Sequence, residues 1–153
     1  LLDLGCYPGS WSQYGVKKVG AGGRVVGIDL KRPHCFSSSN FLFLQADVLT
    51  LDVQWLVRKI GPMDVVVSDL APQTTGIKTT DEVRSVSLAE RALEIALDIL
   101  KQEGRFVCKV FEGEGSPSFQ SKASAFFRQT RIFRPKATRK RSREVYIIGS
   151  GLT

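Results

Sequence analysis

Three carboxylates, Asp29, Asp47 and Asp69, stand at or just past the close of short apolar runs: RVVGIDL (24–30), FLFLQAD (41–47) and MDVVVSDL (63–70). An acid at the carboxyl end of a buried strand can accept hydrogen bonds from the hydroxyls or exocyclic amine of a ligand lying across the strand ends. Each alone reads as a solvated strand-end residue; three at matching ends predict a nucleoside site. The turn after the first apolar run, DLGCYPGSW (3–11), offers Gly5 and Gly9 for close backbone approach. It lacks G-x-G-x-x-G and puts Cys6 and Tyr7 where a pyrophosphate needs bare backbone, which disfavours NAD and a dehydrogenase. GAGGR (20–24) precedes a strand with no G-K-[ST] after it, so it reads as a turn and not a P-loop. A nucleoside ligand without phosphate suits these residues, with Asp29 taking ribose hydroxyls and Asp47 an adenine amino group. S-adenosylmethionine is a cofactor of that description.

A second concentration of chemistry lies in RPKATRKRSREVYIIG (134–149), where basic side chains surround the single acid Glu144. Residues 128 to 143 hold eight Lys or Arg and no acid, which leaves the rest of a chain of net charge +7 close to neutral. Such a stripe is either a solvated charged face or a footprint for a polyanion such as RNA, DNA or an anionic membrane surface. Glu144 is either its counter-charge or a working group to which the cations bring a substrate.

The elements that must position these residues can be read from the pattern. Five runs rich in Val, Ile, Leu and Phe (1–5, 24–30, 41–47, 63–70 and 104–111) alternate with helical segments, which predicts a parallel sheet covered by helices on both faces. The clearest helix, about 80–102, carries Val86, Ala89, Leu93, Ala96, Leu97 and Leu100 on one stripe and Arg91, Glu94, Asp98 and Lys101 on the other. Asp81 and Glu82 suit its N-terminus and Gly104 its C-terminal stop. Shorter helices are expected at about 10–19, 52–60 and 118–128. QTRIFRPK (129–136) and REVYIIGS (143–150) have no helix between them and should pair antiparallel at one sheet edge. The expectation is an α/β, Rossmann-like fold: one domain over 1–153 built on a mixed seven-stranded sheet with an antiparallel edge pair.

Composition narrows the class further. At 153 residues and 42% hydrophobic content the chain suits one domain with its own core. No eighteen-residue apolar span or signal-peptide pattern occurs, so the expectation is a soluble protein without a membrane partner. Cys6, Cys35 and Cys108 form no CxxC pair, which argues against a disulfide framework or a zinc site; no metal is expected. The only histidine, His34, falls in a polar segment and reads as a surface loop residue.

Four segments, DLGCYPGSWSQY, VVVSDLAP, KVFEGEG and SREVYII, resemble in order and register the FtsJ-like 2′-O-ribose RNA methyltransferases, and nearly the whole chain is covered. The resemblance is to the bacterial type that modifies a uridine ribose of large-subunit ribosomal RNA. By position it implies cofactor contacts at Gly9, Trp11, Asp29, Asp47 and Asp69, and Lys109 as proton acceptor, with Asp69 and Glu144 completing a charged cluster around it; the competing reading keeps Lys109 charged, orienting or stabilising the 2′-oxygen. It further implies S-adenosylmethionine as cofactor, ribosomal RNA within the large subunit as partner, and a monomer in the cytoplasm, or in an organelle of a eukaryote. Arg139, Lys140, Arg141 and Arg143 then become phosphate contacts.

Transfer RNA or an mRNA cap is an alternative target of the same reaction. The pattern also includes a lysine in a basic segment upstream of the first strand. This sequence opens on the strand itself, so a preceding segment is expected; without it, a catalytically silent cofactor- and RNA-binding module is the competing reading. Where relatives read alanines after the first glycine this chain has Cys6 and Tyr7, and SDMAPNxSG is replaced by SDLAPQTTG (68–76).

Overall fold

The computed structural model describes residues 1–34, 37–136 and 142–153. The apolar runs become strands β1 (Leu2–Leu4), β2 (Val25–Asp29), β3 (Phe41–Gln45), β4 (Met63–Ser68), β5 (Leu100–Phe111), β6 (Phe127–Phe133) and β7 (Glu144–Leu152). Helices α1 (Ser10–Val19), α2 (Val53–Ile60), α3 (Lys78–Ile99) and α4 (Ser116–Ser124) connect them. All seven strands join one sheet in the order β3-β2-β1-β4-β5-β7-β6. From β3 to β5 the neighbours run parallel, and β7 runs antiparallel to both β5 and β6. The mixed sheet with an antiparallel edge is the architecture that the alternation of segments predicts.

The chain leaves β1 toward β2 and β3 on one side, then returns to lay β4 and β5 on the other. Strand order reverses between β1 and β4, and at such a point the loops at the carboxyl ends part to form a crevice. Central β1 is buried along its length, as are Val25, Val26 and Ile28 of β2, which fits a parallel sheet packed on both faces. Among the described residues no helix is long and apolar enough to cross a membrane.

Several boundaries differ from the periodicity, each for a tertiary reason. α3 ends at Ile99 and β5 starts at once, with Leu100 paired to Met63 of β4, so Gly104 is not a helix stop. Glu103 takes a positive φ of 65° and Gly104 follows it in a tight kink, where a Cβ would stand 2.7 Å from the Lys101 carbonyl oxygen. α4 stops at Ser124 and not at 128, because Phe127 pairs with Leu152 and stacks on Phe106 at 6.0 Å. β6 ends at Phe133, two residues before Pro135, which has no N–H for a ladder. Acids at the start of α3 were expected to serve its dipole. Asp81 instead turns back to the loop before the helix, accepting from Thr75 N at 2.8 Å, Thr75 Oγ1 at 2.9 Å and Gly76 N at 3.3 Å.

Candidate active site

The reversal of strand order opens a cleft of about 680 Å³. Gly5, Tyr7, Asp29, Asp47 and Asp69 line it, together with the apolar Leu30, Val48, Leu49, Leu70 and Leu88. The size and the mix of apolar wall with a few polar groups are those of a small-molecule site. Gly5 adopts a φ of 77°, and a Cβ there would come within 2.8 Å of Leu70 Cδ2. Gly9, with a φ of 126°, caps α1 in a conformation that side chains rarely reach. Tyr7, the bulky residue in this turn, is accommodated by leaning outward: its hydroxyl lies 3.2 Å from His34 Nε2 and Lys31 Nζ stands over its ring.

The strand-end acids are oriented by backbone. Asp29 accepts from Tyr7 N through Oδ2 at 2.9 Å and from Lys31 N through Oδ1 at 3.0 Å. Asp47 Oδ1 accepts from Leu49 N at 2.9 Å. A carboxylate has about four acceptor positions, so both acids keep capacity for a ligand. Arg91, placed by the sequence pattern on the solvated face of its helix, in fact reaches over the loop after β3. Its Nε donates to Val48 O at 3.0 Å and an Nη to Leu51 O at 2.6 Å, which fixes the cleft wall beside Asp47.

Asp69 belongs to two sites at once. It lines the cleft, and its Oδ1 lies 3.2 Å from Lys109 Nζ and accepts from the Tyr146 hydroxyl at 3.2 Å. Glu144 Oε1 lies 3.7 Å from the same Nζ. Lys109 of β5 is only 8% exposed, held where β7 places Tyr146 opposite it and Glu144 opposite Phe111. Burial, and then the Asp69 carboxylate, raise the Tyr146 phenol above its ordinary range, so it stays a donor. Trp11 stands in the first turn of α1 with its ring 5.7 Å from that of Tyr146.

Lys109, Asp69 and Glu144 are thus brought together as one cluster, and Asp29, Asp47 and Asp69 share the cleft. Gly9 and Trp11 do not line the cleft; Gly9 shapes the turn, and Trp11 sits on the Tyr146 side of the cluster. Arg139, Lys140 and Arg141 lie outside the described residues. Arg143 is ion-paired with the largely buried Glu82, its guanidinium over the Phe111 ring at 5.8 Å. Glu112 is paired with Arg134. His34 is exposed, as a loop residue should be, and burial pushes the Cys6 and Cys108 thiols up to about 12, the state of packing residues and not of nucleophiles. Tyr146, Arg91 and Glu82 carry no local signal for these contacts, because each meets a partner at least forty residues away.

The family described as FtsJ-like methyltransferase matches residues 1–152. The chain belongs to that family. A curated relative from Desulfosudis oleivorans, named ribosomal RNA large subunit methyltransferase E, is 46% identical over 149 residues, which are 97% of this chain and 72% of that protein. Among solved structures, a ribosomal RNA methyltransferase of Plasmodium falciparum superposes with a TM-score of 0.81 at 22% identity, covering 99% of this chain and 85% of that one. Human methyltransferase-like protein 13 in complex with SAH superposes with a TM-score of 0.70 at 15% identity, covering 97% and 70%. These two likenesses establish the fold, a Rossmann-like methyltransferase sheet, and the family makes this chain a methyltransferase.

Proposed function

We propose that this FtsJ-like methyltransferase transfers the methyl group of S-adenosylmethionine to the 2′-hydroxyl of a ribose in ribosomal RNA, with a uridine of the large subunit as target. The observation that carries this reading is Asp69, which lines the nucleoside cleft while its carboxylate touches Lys109. A cofactor and an acceptor hydroxyl held on either side of Asp69 would meet beside Lys109. The name of the Desulfosudis relative supports the RNA target.

The cleft suits the cofactor. Asp29 and Asp47 have acceptor capacity for ribose hydroxyls and an adenine amine, and Leu30, Val48 and Leu49 give an apolar bed for a purine. When bound, S-adenosylmethionine supplies an electrophilic methyl carbon on a sulfonium sulfur. The chain's task is then to align the 2′-oxygen and manage its charge, and alignment alone contributes up to roughly 7 to 11 kcal/mol in favourable systems. Lys109 has three N–H donors; with Asp69 and Glu144 on two sides, the third is free for the 2′-oxygen. Beside these two carboxylates we assign Lys109 the charged role, an ammonium that orients the oxygen and stabilises its developing negative charge, in place of the proton acceptor that the resemblance implies. On transfer the methyl carbon would exchange its bond to the sulfonium sulfur for one to the 2′-oxygen, leaving the cofactor as a neutral thioether, and the 2′-proton would pass to water. Tyr146 holds Asp69 in place. Arg139, Lys140 and Arg141 supply phosphate contacts that weaken with salt.

The test is incubation with methyl-labelled S-adenosylmethionine and large ribosomal subunits, with free RNA in parallel, followed by nucleoside analysis. Label on a ribose 2′-oxygen is expected. Label on a base would overturn the reaction, and cofactor binding without any transfer would favour the silent binding module.

A further inference from the structure

The ion pairs sort the cations of the basic stripe. Arg128, Arg134 and Arg143 are occupied by Glu103, Glu112 and Glu82. Arg131 and Lys136 are exposed and have no ion-pair partner among the described residues. Arg131 lies on β6, two residues before Phe133, so the two side chains point to the same face of the sheet.

That face is the one carrying Lys109. In the register of the antiparallel edge, Lys109 pairs with Tyr146, and Tyr146 pairs with Phe133. Directly opposed residues of adjacent strands share a face, so Lys109, Tyr146 and Phe133 form a row across three strands. At about 4.8 Å per strand, Phe133 stands roughly 10 Å from Lys109. Phe133 is 50% exposed at the sheet edge, while Tyr146 in the middle of the row is turned toward Asp69. A lone exposed aromatic is ordinary on a protein surface. Here it coincides with an unpaired arginine and a row that ends on the reacting lysine.

We propose that Phe133 and Arg131 form a subsite for the nucleotide flanking the one that is methylated, the base stacking on Phe133 and its phosphate held by Arg131. The inference rests on the RNA methyl-transfer reading above. Stacking on an aromatic face tolerates any base, so the subsite would hold a single-stranded or splayed segment in place and leave sequence choice to other contacts.

The experiment measures equilibrium binding of the full chain to a fluorescent oligouridylate and to a ribose-phosphate oligomer of equal length without bases. Phe133→Ala should weaken oligouridylate binding roughly tenfold, within the range seen for loss of one base–aromatic stack, and leave abasic binding unchanged. Phe133→Trp should restore it. Arg131→Gln should weaken both probes alike and lower the slope of affinity against salt by about one. Binding of S-adenosylmethionine by each variant confirms that it folds. If Phe133→Ala binds oligouridylate like the parent, or loses both probes equally, the subsite is overturned while the RNA reading stands. Failure of the parent chain to bind either probe would overturn both.

Discussion

In the parallel half of the sheet, two of the site's carboxylates are held by backbone N–H groups at the strand ends: Asp29 by Tyr7 and Lys31, Asp47 by Leu49. In the antiparallel half, charged groups are held by side chains from remote parts of the chain: Lys109 by Asp69 and Glu144, Arg143 by Glu82, Arg134 by Glu112. The first arrangement is a property of position in a fold, the second of particular pairs. A cofactor site of the first kind should be little affected by ionic strength, whereas an RNA face of the second kind should weaken steadily with salt.

Substitution of Lys109 tests this division most severely. Lys109→Ala should lower single-turnover methyl transfer by about 10² to 10⁴-fold, the scale of a group acting directly on the reacting hydroxyl. Cofactor affinity, which belongs to the parallel half, should be retained. A variant that keeps most of its turnover would remove Lys109 from the reaction.

The next effect concerns acid and the parallel half alone. Asp3 is fully buried in β1 and accepts from Ser12 Oγ at 2.6 Å, yet its Oδ1 has no partner among the described residues. Burial raises its pKa from 3.8 to about 6, with the Asp69 and Asp29 carboxylates adding to the rise and the Ser12 hydrogen bond opposing it. A folded state with the higher pKa binds more protons between these values, so the Asp3 contribution to stability is present below about pH 4 and lost as pH rises through 6. The loss is on the order of 3 kcal/mol. Urea unfolding between pH 4 and 8 should show the difference between parent and Asp3→Asn changing across this window; parallel curves would refute it.

Asp29→Asn removes the charge that would face ribose hydroxyls and should weaken cofactor binding by roughly 10 to 100-fold, the range for a hydrogen bond to a charged group. Oligouridylate affinity should not change, and a parallel fall in both would mean that the two halves are not separable. Glu144→Ala is expected to be the mildest. Its carboxylate is 38% exposed, so its loss should cost turnover about 1 kcal/mol, a several-fold fall in kcat with RNA affinity intact. Unchanged turnover would leave Glu144 as a counter-charge of the basic run.

The same division explains what could be read from the residues alone. Asp29, Asp47 and Asp69 were legible because a parallel strand announces its carboxyl end through an apolar run that stops, and the fold places those ends together. The order of strands and helices followed from the same alternation. Ends set by tertiary pairing were not legible: Phe127 looked like the end of a helix until Leu152 and Phe106 claimed it. The pairing of the basic stripe was not legible either. A window of sequence counts Arg128, Arg134 and Arg143 as available cations, whereas their acids lie at 103, 112 and 82, outside any local count. Lys109 itself carries no local signal; only its motif, KVFEGEG, drew attention to it.

β7 follows β6 in the chain but lies between β6 and β5. During synthesis, at about 5 to 20 residues per second, β5 and β6 would emerge first and wait with unsatisfied edges for the strand that joins them. Tyr146 and Glu144 arrive on that strand, so a nascent chain can complete the cleft between β1 and β4 while the cluster around Lys109 still lacks two members. The lysine cluster is therefore completed by the step that also joins β5 to β6.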